Sequence, residues 1–538
     1  MTLVSWTSES RQLDCRVCEL SGQGELIATI TALAEIDLPV IRCSRCRSIQ
    51  LRNEARDSSP TDASVDLYVE AGVGIGAIAD SLGMADLSRV SRFLDVGCNY
   101  GFALDLARFL YGWDVLGVEP SLAARRGASE LGLDIRDEYL DEKSAVGGGF
   151  DLILASEVVE HVSDPIAFLR AIAQRLAPDG QLILTTPAAE MVDQGIPEPE
   201  VLSAISPGYH VFLASQSGLE QLLRRAGFTA VRVERERGSL RAVASAGENG
   251  VRPNTPISAT QRESYLRHSA SAAPKGTALA LGMSVRYLRS LVARGDFGDH
   301  RAAARLVRKE FARRYGIHLS KPRFLSARLA ASHEAPPWSL SGAAFALGMI
   351  ELSHERRPER AAAFFELSHT AARRWCAVVQ VADLDSVDLL FQSAYHRALA
   401  LSRFDPVAAT AAVLSLGESL NANSSARQSV LARRECRVYV EIASRGTVAE
   451  GGELEARVDG AARALAVSTD TDDRMAGLDA LLCLAMAAVQ RGRLDEARAR
   501  FSECERLAAL GSAEPHGRSV ARSCRAHLEA LGDDGSAS

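Results

Sequence analysis

Lysine is nearly missing from this 538-residue chain. Only Lys143, Lys275, Lys309 and Lys321 occur, and the formal net charge is −7. A broad surface for nucleic acid or for an anionic membrane needs clustered positive charge, so the balance argues against both. No apolar run is long enough to span a bilayer. The first residues, "MTLVSWTSESRQLDC", have neither the basic nor the apolar region of a secretory signal, and the expected location is cytoplasmic. Cysteine, at ten residues, is too sparse for a disulfide scaffold. Cys98, Cys376, Cys436, Cys483, Cys504 and Cys524 are scattered, as small core residues usually are.

The other four cysteines are grouped. "CRVC" and "CSRC" (Cys15, Cys18, Cys43, Cys46) form two CxxC pairs at close to zinc-ribbon spacing, so that two tight turns could complete a tetrahedron of thiolates. The glycine often found after such knuckles is absent, and four free thiols are the plain alternative. The flanks carry both charges and no interleaved aromatics, which argues against nucleic acid as the partner. Residues 1–50 are therefore read as a zinc-ribbon-like module with a structural Zn²⁺, followed by a polar connection at 51–62.

From 63 to 245 the pattern changes. An apolar helical stretch, 63–87, is interrupted by "AGVGIG". Strand-like runs then alternate with amphipathic helices, which indicates an α/β domain with a mostly parallel sheet. Strands are expected at 92–96, 114–118, 133–136, 150–155, 180–185, 228–234 and 239–244. Helices are expected at 101–111, 121–131, 164–177 and 216–226. "SDP" supplies an Asp cap and a first-turn proline for the third helix, and "APDG" should end it.

In "FLDVGCNYGF" the acid Asp95 ends a strand, and Gly97 and Gly101 flank the turn into a helix. A dinucleotide site would read G-x-G-x-x-G. The spacing here is G-x-x-x-G behind an acid, which suits a positively charged amino group better than a phosphate. Glu119, at the end of the next strand, can accept both hydroxyls of a ribose. Ribose diol, amino acid and no phosphate together describe S-adenosylmethionine.

The following stretch, "FDLILASEVVEHVSDPIAFLRAIAQRLAPDGQLILTTP", completes a pattern. Residues 63–245 resemble class I S-adenosylmethionine-dependent methyltransferases, in particular the group holding ubiquinone-type O-methyltransferases and many sugar methyltransferases. The resemblance rests on Asp95, Gly97, Cys98, Gly101, Gly112, Trp113, Glu119, Ser121, Asp151, Glu157, Glu160, His161, Asp164, Pro165, His210, Leu219 and "AGF" at 226–228. It implies a Rossmann-like seven-stranded fold. It also implies that Asp95, Gly97, Cys98 and Gly101 surround the methionine part of the cofactor and that Glu119 holds its ribose. Tyr139 and Leu140 would flank the adenine, with Ser156 and Glu157 beneath. Asn99 departs from the group's usual glycine, but asparagine tolerates left-handed backbone angles, so the turn should survive.

Methyl transfer needs a nucleophile held in line and often relieved of a proton. The candidates for that role are His161 and His210, the latter in a loop expected to roof the site. Glu157, Glu160 and His161 stand at i, i+3 and i+4, and on one helical turn they could share a face and hold a divalent ion such as Mg²⁺. The alternative is that His161 acts as base or shapes the pocket. The segment "ERGSLRAV" resembles a turn of sugar methyltransferases, and a hairpin alone would read the same.

"ASAGENGVRPNTPISAT" (244–260) reads as a linker, after which nearly everything is helical. A helical extension covers 261–317. A second linker-like segment leads to Ala-rich helix pairs at 340–532, and the tail "GDDGSAS" reads as disordered. Ala361 and Phe365 align with Ala497 and Phe501 at a multiple of about 34 residues, the tetratricopeptide period, though intervening candidates fall off it. An irregular bundle is the alternative. The reading that fits best is an O- or C-methyltransferase for a small-molecule or carbohydrate-type acceptor (sugar, sugar-nucleotide or glycan), with a helical region for a protein partner. RNA or protein methylation is the second reading, weakened because "ASEVVEH" stands where base methyltransferases carry a Pro-Pro motif. A cofactor-binding scaffold is the third.

Overall fold

The computed structural model describes residues 3–31, 37–51, 61–236, 238–247, 250–252, 254–332, 334–378, 384–416, 425–445, 452–510 and 514–532. Most of the expected polar connection and of the C-terminal tail therefore lies outside the described residues. The chain forms two compact units, Met1–Tyr287 and Leu288–Ser538. Their boundary falls inside the helix Ala278–Arg294, so the expected extension at 261–317 is divided between them.

The strands of the first unit are β1 (Val4–Asp14), β2 (Ser21–Thr31), β3 (Asp37–Cys43), β4 (Ile49–Leu51), β5 (Arg92–Val96), β6 (Asp114–Val118), β7 (Ile135–Arg136), β8 (Phe150–Ser156), β9 (Leu176–Pro187), β10 (Phe212–Leu213), β11 (Ala230–Glu236) and β12 (Ser239–Ser245). Seven of them make one sheet in the order β11-β12-β9-β8-β5-β6-β7. β5 to β9 are mutually parallel, and β12 and β11 close the edge antiparallel. Strands such as "DLILAS" read as apolar runs because helices cover both faces of a parallel sheet. β5 lies between β6 and β8, so the chain order reverses there, and in such sheets the ligand crevice opens beyond the strands' carboxyl ends.

The helices between these strands start and stop on local signals. Ser121 caps Leu122–Leu131 by accepting from the Ala124 N–H, and Asp164 caps Pro165–Ala173 by accepting from the Ala167 N–H. The latter helix ends at Ala173, short of the expected 177. "APDG" instead belongs to β9, where the pairing with β8 shifts register between Phe150 and Leu152. Two contacts explain the difference. The buried Arg175 side chain donates to the Ala171, Val146, Asp141 and Ser144 carbonyls and so caps the helix early. At Gly180 a Cβ would lie 2.6 Å from the Phe150 carbonyl oxygen, a close approach that only glycine permits.

Both expected linkers carry structure. In 244–260 the Thr255 N–H bonds the Gly83 and Ala85 carbonyls, and Arg252 pairs with Asp86 at 3.3 Å, so the segment is fastened to the domain. In the second, Pro322 begins a helix, Pro322–Ala331, whose Leu325 and Ser326 are buried.

β1 to β4 form an antiparallel sheet with β10, which comes from the α/β region. Among the described residues the regular elements of the second unit are helices, with Leu340–Ser353, Pro358–Val378, Leu384–Leu401, Pro406–Leu414, Ser425–Ala443, Glu453–Ala466, Thr471–Gln490, Leu494–Leu510 and Pro515–Gly532 in sequence from 340 on. Among the described residues, no helix is long and apolar enough to cross a membrane.

Candidate active site

A cleft of about 1210 Å³ opens at the carboxyl ends of β5, β6, β8 and β9. The turn after β5 forms its floor. Gly97 and Gly101 have φ of +74° and +90°, and Asn99 has φ of +49°, so asparagine does take the left-handed conformation there. A Cβ on Gly97 would lie 2.4 Å from Val158 Cγ2. Gly101 stands behind the wall instead of lining it, since its Cβ would meet Leu133 and Ile135 of the packing layer.

The cleft is acidic. Asp95 and Glu119 lie in its wall, and neither has an ion-pair partner among the described residues. Burial, then the charge of Glu119, pushes the Asp95 carboxyl up to about 8. Burial also raises Glu119, although the Ser121 side chain and the Asn99 backbone hydrogen-bond its carboxylate. Asn99 Oδ1 is buried in the same wall without a hydrogen-bond partner. Cys98, Tyr139, Leu140, Ser156 and Glu157 line the cleft as well, Tyr139 being 78% exposed and Leu140 buried. Thr185 Oγ1 donates to Glu157 Oε1 at 2.9 Å and lies 2.7 Å from Ser156 Oγ.

Glu157, Glu160 and His161 do not share a helical face. Glu157 has φ of +56°, and the chain then makes a 3₁₀ turn, Val159–His161. This breaks the i, i+3, i+4 geometry, and Glu157 turns to Thr185. His210 takes its place. Potential ligand atoms of Glu160, His161 and His210 lie within 4.8 Å of one another, and both imidazole Nε2 atoms are 3.9 Å from Glu160 Oε1. His161 Nδ1 is bonded to the Tyr209 carbonyl at 3.1 Å and His210 Nδ1 to the Ala204 carbonyl at 2.8 Å. A carbonyl can only accept, so each Nδ1 carries the proton and each Nε2 is left as an acceptor. Burial lowers both histidines, His210 to about 4. Glu160 is fully buried, and desolvation followed by repulsion from Glu157 drives it well above the usual carboxylate range. Of the pair only His161 lines the cleft. His210 packs edge-on behind it, while its neighbours Gly208 and Tyr209 reach the cavity.

Several wall residues carry no local sequence signal. Tyr68 lies in a π-helical turn, Tyr68–Gly72, at the "AGVGIG" interruption. Arg286, more than two hundred residues away, donates to the Val69, Glu70 and Val73 carbonyls and holds that turn. Arg241 is the basic side chain among the lining residues, and it is paired to Glu236.

The four paired cysteines meet in the small sheet. Cys15 and Cys46 Sγ are 3.6 Å apart, as are Cys18 and Cys43 Sγ, and all four atoms lie within 4.8 Å of one another, buried. Tetrahedral zinc with bonds near 2.3 Å gives thiolate edges of roughly 3.8 Å, so the spacing fits. Glu19 and Arg47, each one residue past a knuckle, have φ of +54° and +63° and take the conformation in which glycine is common. The sheet adjoins the cleft. Val211 donates to the Glu160 carbonyl and accepts from the Leu51 N–H, and Ser215 bonds both Ser48 and the Cys46 carbonyl.

A family profile described as "Methyltransferase domain" matches residues 75–233. The chain carries a class I methyltransferase domain. Ubiquinone biosynthesis O-methyltransferase of Cereibacter sphaeroides (strain ATCC 17025) is 38% identical over 102 residues, 18% of this chain and 40% of that protein. The enzyme of the same name from Caulobacter sp. (strain K31) is 42% identical over 103 residues, with the same shares. The chain thus spans about 40% of the length of the curated relatives it matches. The crystal structure of an S-adenosylmethionine-dependent methyltransferase from Mesorhizobium loti superposes with a TM-score of 0.27 at 18% identity, covering 32% of this chain and 99% of that one. In the methyltransferase domain, the matched residues hold the turn after β5, Glu119 and the Glu157–His161 segment.

Proposed function

We propose that the chain methylates a hydroxyl of a small molecule using S-adenosylmethionine. The observation that carries this is the pair Asp95, buried, and Glu119, half-buried, acids at the ends of adjacent strands without a basic partner among the described residues. They fit a ligand with a cationic amino acid and a ribose diol, and Asn99 Oδ1 awaits a donor in the same wall. Asp95, Gly97 and Cys98 would hold the amino-acid part, Glu119 the ribose, and Tyr139 and Leu140 the base. S-adenosylmethionine supplies an electrophilic methyl group on a sulfonium.

The chain's own part is to orient the hydroxyl and take its proton. His161 fits that role, because partial desolvation in the cleft wall holds its pKa below the ordinary imidazole value and its Nδ1 hydrogen bond leaves Nε2 to accept. Glu160 Oε1, 3.9 Å away, would stabilise the imidazolium once formed. A second reading has its own support. Glu160 Oε1 and the two Nε2 atoms converge within 4.8 Å of one another, a spacing that suits a divalent cation, which would hold Glu160 ionised while the Nδ1–H···O=C bonds orient both imidazoles. Such an ion would lower the pKa of an acceptor hydroxyl.

Within small molecules, a sugar, sugar-nucleotide or glycan is the finer reading, supported by Gly238, Ser239 and Arg241 of "ERGSLR" lining the cleft. We read the cysteine cluster as a structural zinc site. The helices of the second unit are read as tetratricopeptide-like, for a protein partner; Ala361, Phe365, Ala497 and Phe501 are all fully buried.

Calorimetry with S-adenosylmethionine and labelled methyl transfer to hydroxylated small molecules test the proposal together. Glu119→Gln should weaken cofactor binding about 10- to 100-fold. His161→Gln should leave binding intact and slow transfer ~10²- to 10⁴-fold. A wild-type chain that binds no S-adenosylmethionine would sink the reading, and unchanged transfer by His161→Gln would remove the base.

A further inference from the structure

The second unit holds a separate cavity of about 330 Å³, bounded by the helix His300–Tyr315, the end of Leu340–Ser353 and the start of Pro358–Val378. Arg301, Arg305, Arg308, Arg357 and Arg360 line it, against the carboxylates of Glu351 and Glu355. Five guanidiniums against two carboxylates leave a formal excess of three positive charges.

The carboxylates are already engaged. Glu355 lies 3.1 Å from Arg301 and 3.6 Å from Arg357, and Glu351 lies 2.7 Å from Arg360. Among the described residues no carboxylate comes within 4.0 Å of Arg305 or Arg308. Arg308 is half-buried, and its Nε is enclosed without a hydrogen-bond partner. Desolvation and then repulsion from Arg360 weaken its hold on its proton, offset in part by Glu351. Arg308 and Arg360, half-buried among these guanidiniums, repel each other with less water to screen them, which is unfavourable until an anion joins them. The positive end of the helix Pro358–Val378 borders the same cavity through Arg357 and Arg360, and its macrodipole adds to the attraction.

His300, His354 and Glu355 also approach one another closely enough for a metal. A cation is disfavoured there, because Arg301 and Arg357 occupy Glu355 and the surroundings repel positive charge.

We propose that this cavity binds a phosphate-bearing small molecule and recognises its diphosphate group. A planar carboxylate offers two acceptor atoms. A diphosphate offers several acceptor edges on two tetrahedra, which guanidinium forks from the helix His300–Tyr315 and from the start of Pro358–Val378 can engage bidentately, and its charge matches the excess.

Calorimetry on the full chain tests this, with inorganic pyrophosphate and uridine diphosphate as separate probes and sodium chloride matching the ionic strength. The expected result is saturable one-site binding of at least one probe. Tighter binding of uridine diphosphate identifies a nucleotide source, and equal or tighter binding of pyrophosphate identifies the free diphosphate. Arg308→Gln should weaken binding about 10- to 100-fold. Arg305→Ala, at an exposed position, keeps the fold and should weaken it ~10-fold, so it decides the matter if Arg308→Gln unfolds on a circular-dichroism melt. Absence of saturable binding by the wild type, or wild-type affinity in Arg305→Ala, overturns the proposal.

Discussion

Asp95 is held in the folded chain with its carboxyl at about 8, far above its ordinary value near 4. Without a ligand it is therefore mostly protonated at pH 7, and a bound ammonium group would favour the carboxylate. Binding of S-adenosylmethionine should then release a proton at pH 7 and almost none from this group at pH 9. Calorimetry in buffers of different ionisation enthalpy measures that proton, and Asp95→Asn should abolish it. The sign for stability is the reverse of a salt-bridged acid. A raised folded pKa contributes stability below about pH 4 that is lost as pH rises through about 8, so Asp95→Asn should raise the melting temperature of the ligand-free chain most at pH 9. At this scale the acids at strand ends were readable from their position after apolar runs. The partnership of Glu160 with His210 was not, because a positive φ at Glu157 decides which side chains meet, and spacing alone does not disclose it.

The cysteine sheet shows how one element can position another. β4 pairs with β10, whose preceding residues Val211 and His210 contact Glu160 and His161. If the four thiolates hold zinc, the metal fixes the turns that present β4, and zinc-finger-type sites contribute ~10 kcal/mol or more to folding. Elemental analysis should find one zinc per chain at this site, and Cys43→Ser should lose it. Metal removal should lower both the melting temperature and the rate of methyl transfer. Transfer that survives full removal of the metal would show that the sheet does not hold the site. The paired knuckles were visible in the sequence from their spacing. That a two-residue strand from the loop after β9 would complete their sheet was not, since Phe212–Leu213 is too short to carry a period.

At the scale of the whole molecule, the wall of the cleft depends on distant chain. Tyr265 OH donates to Asp105 Oδ2 at 2.9 Å, and Arg286 pins the π-helical turn that carries Tyr68. A Cβ on Gly282 would lie 2.5 Å from the Val69 carbonyl oxygen, which marks how closely the helix and turn approach. Truncation after residue 294 should therefore retain cofactor affinity, whereas truncation after residue 258 should weaken it at least ~10-fold, roughly the worth of the lost charged hydrogen bonds. Equal affinity of the two truncated chains, measured by calorimetry, would refute the bracing role.

The sequence by itself determined the parallel sheet, its acidic strand ends, the glycine turn and the grouping of four cysteines, because each strand, turn and CxxC knuckle is written locally by apolar periodicity and spacing. Only the tertiary structure decided that His210 joins Glu160 and His161, that Arg286 braces Tyr68, and that five arginines share one cavity in the second unit. Those groupings depend on backbone angles and on register between segments far apart in the chain, and no local pattern of residues encodes them.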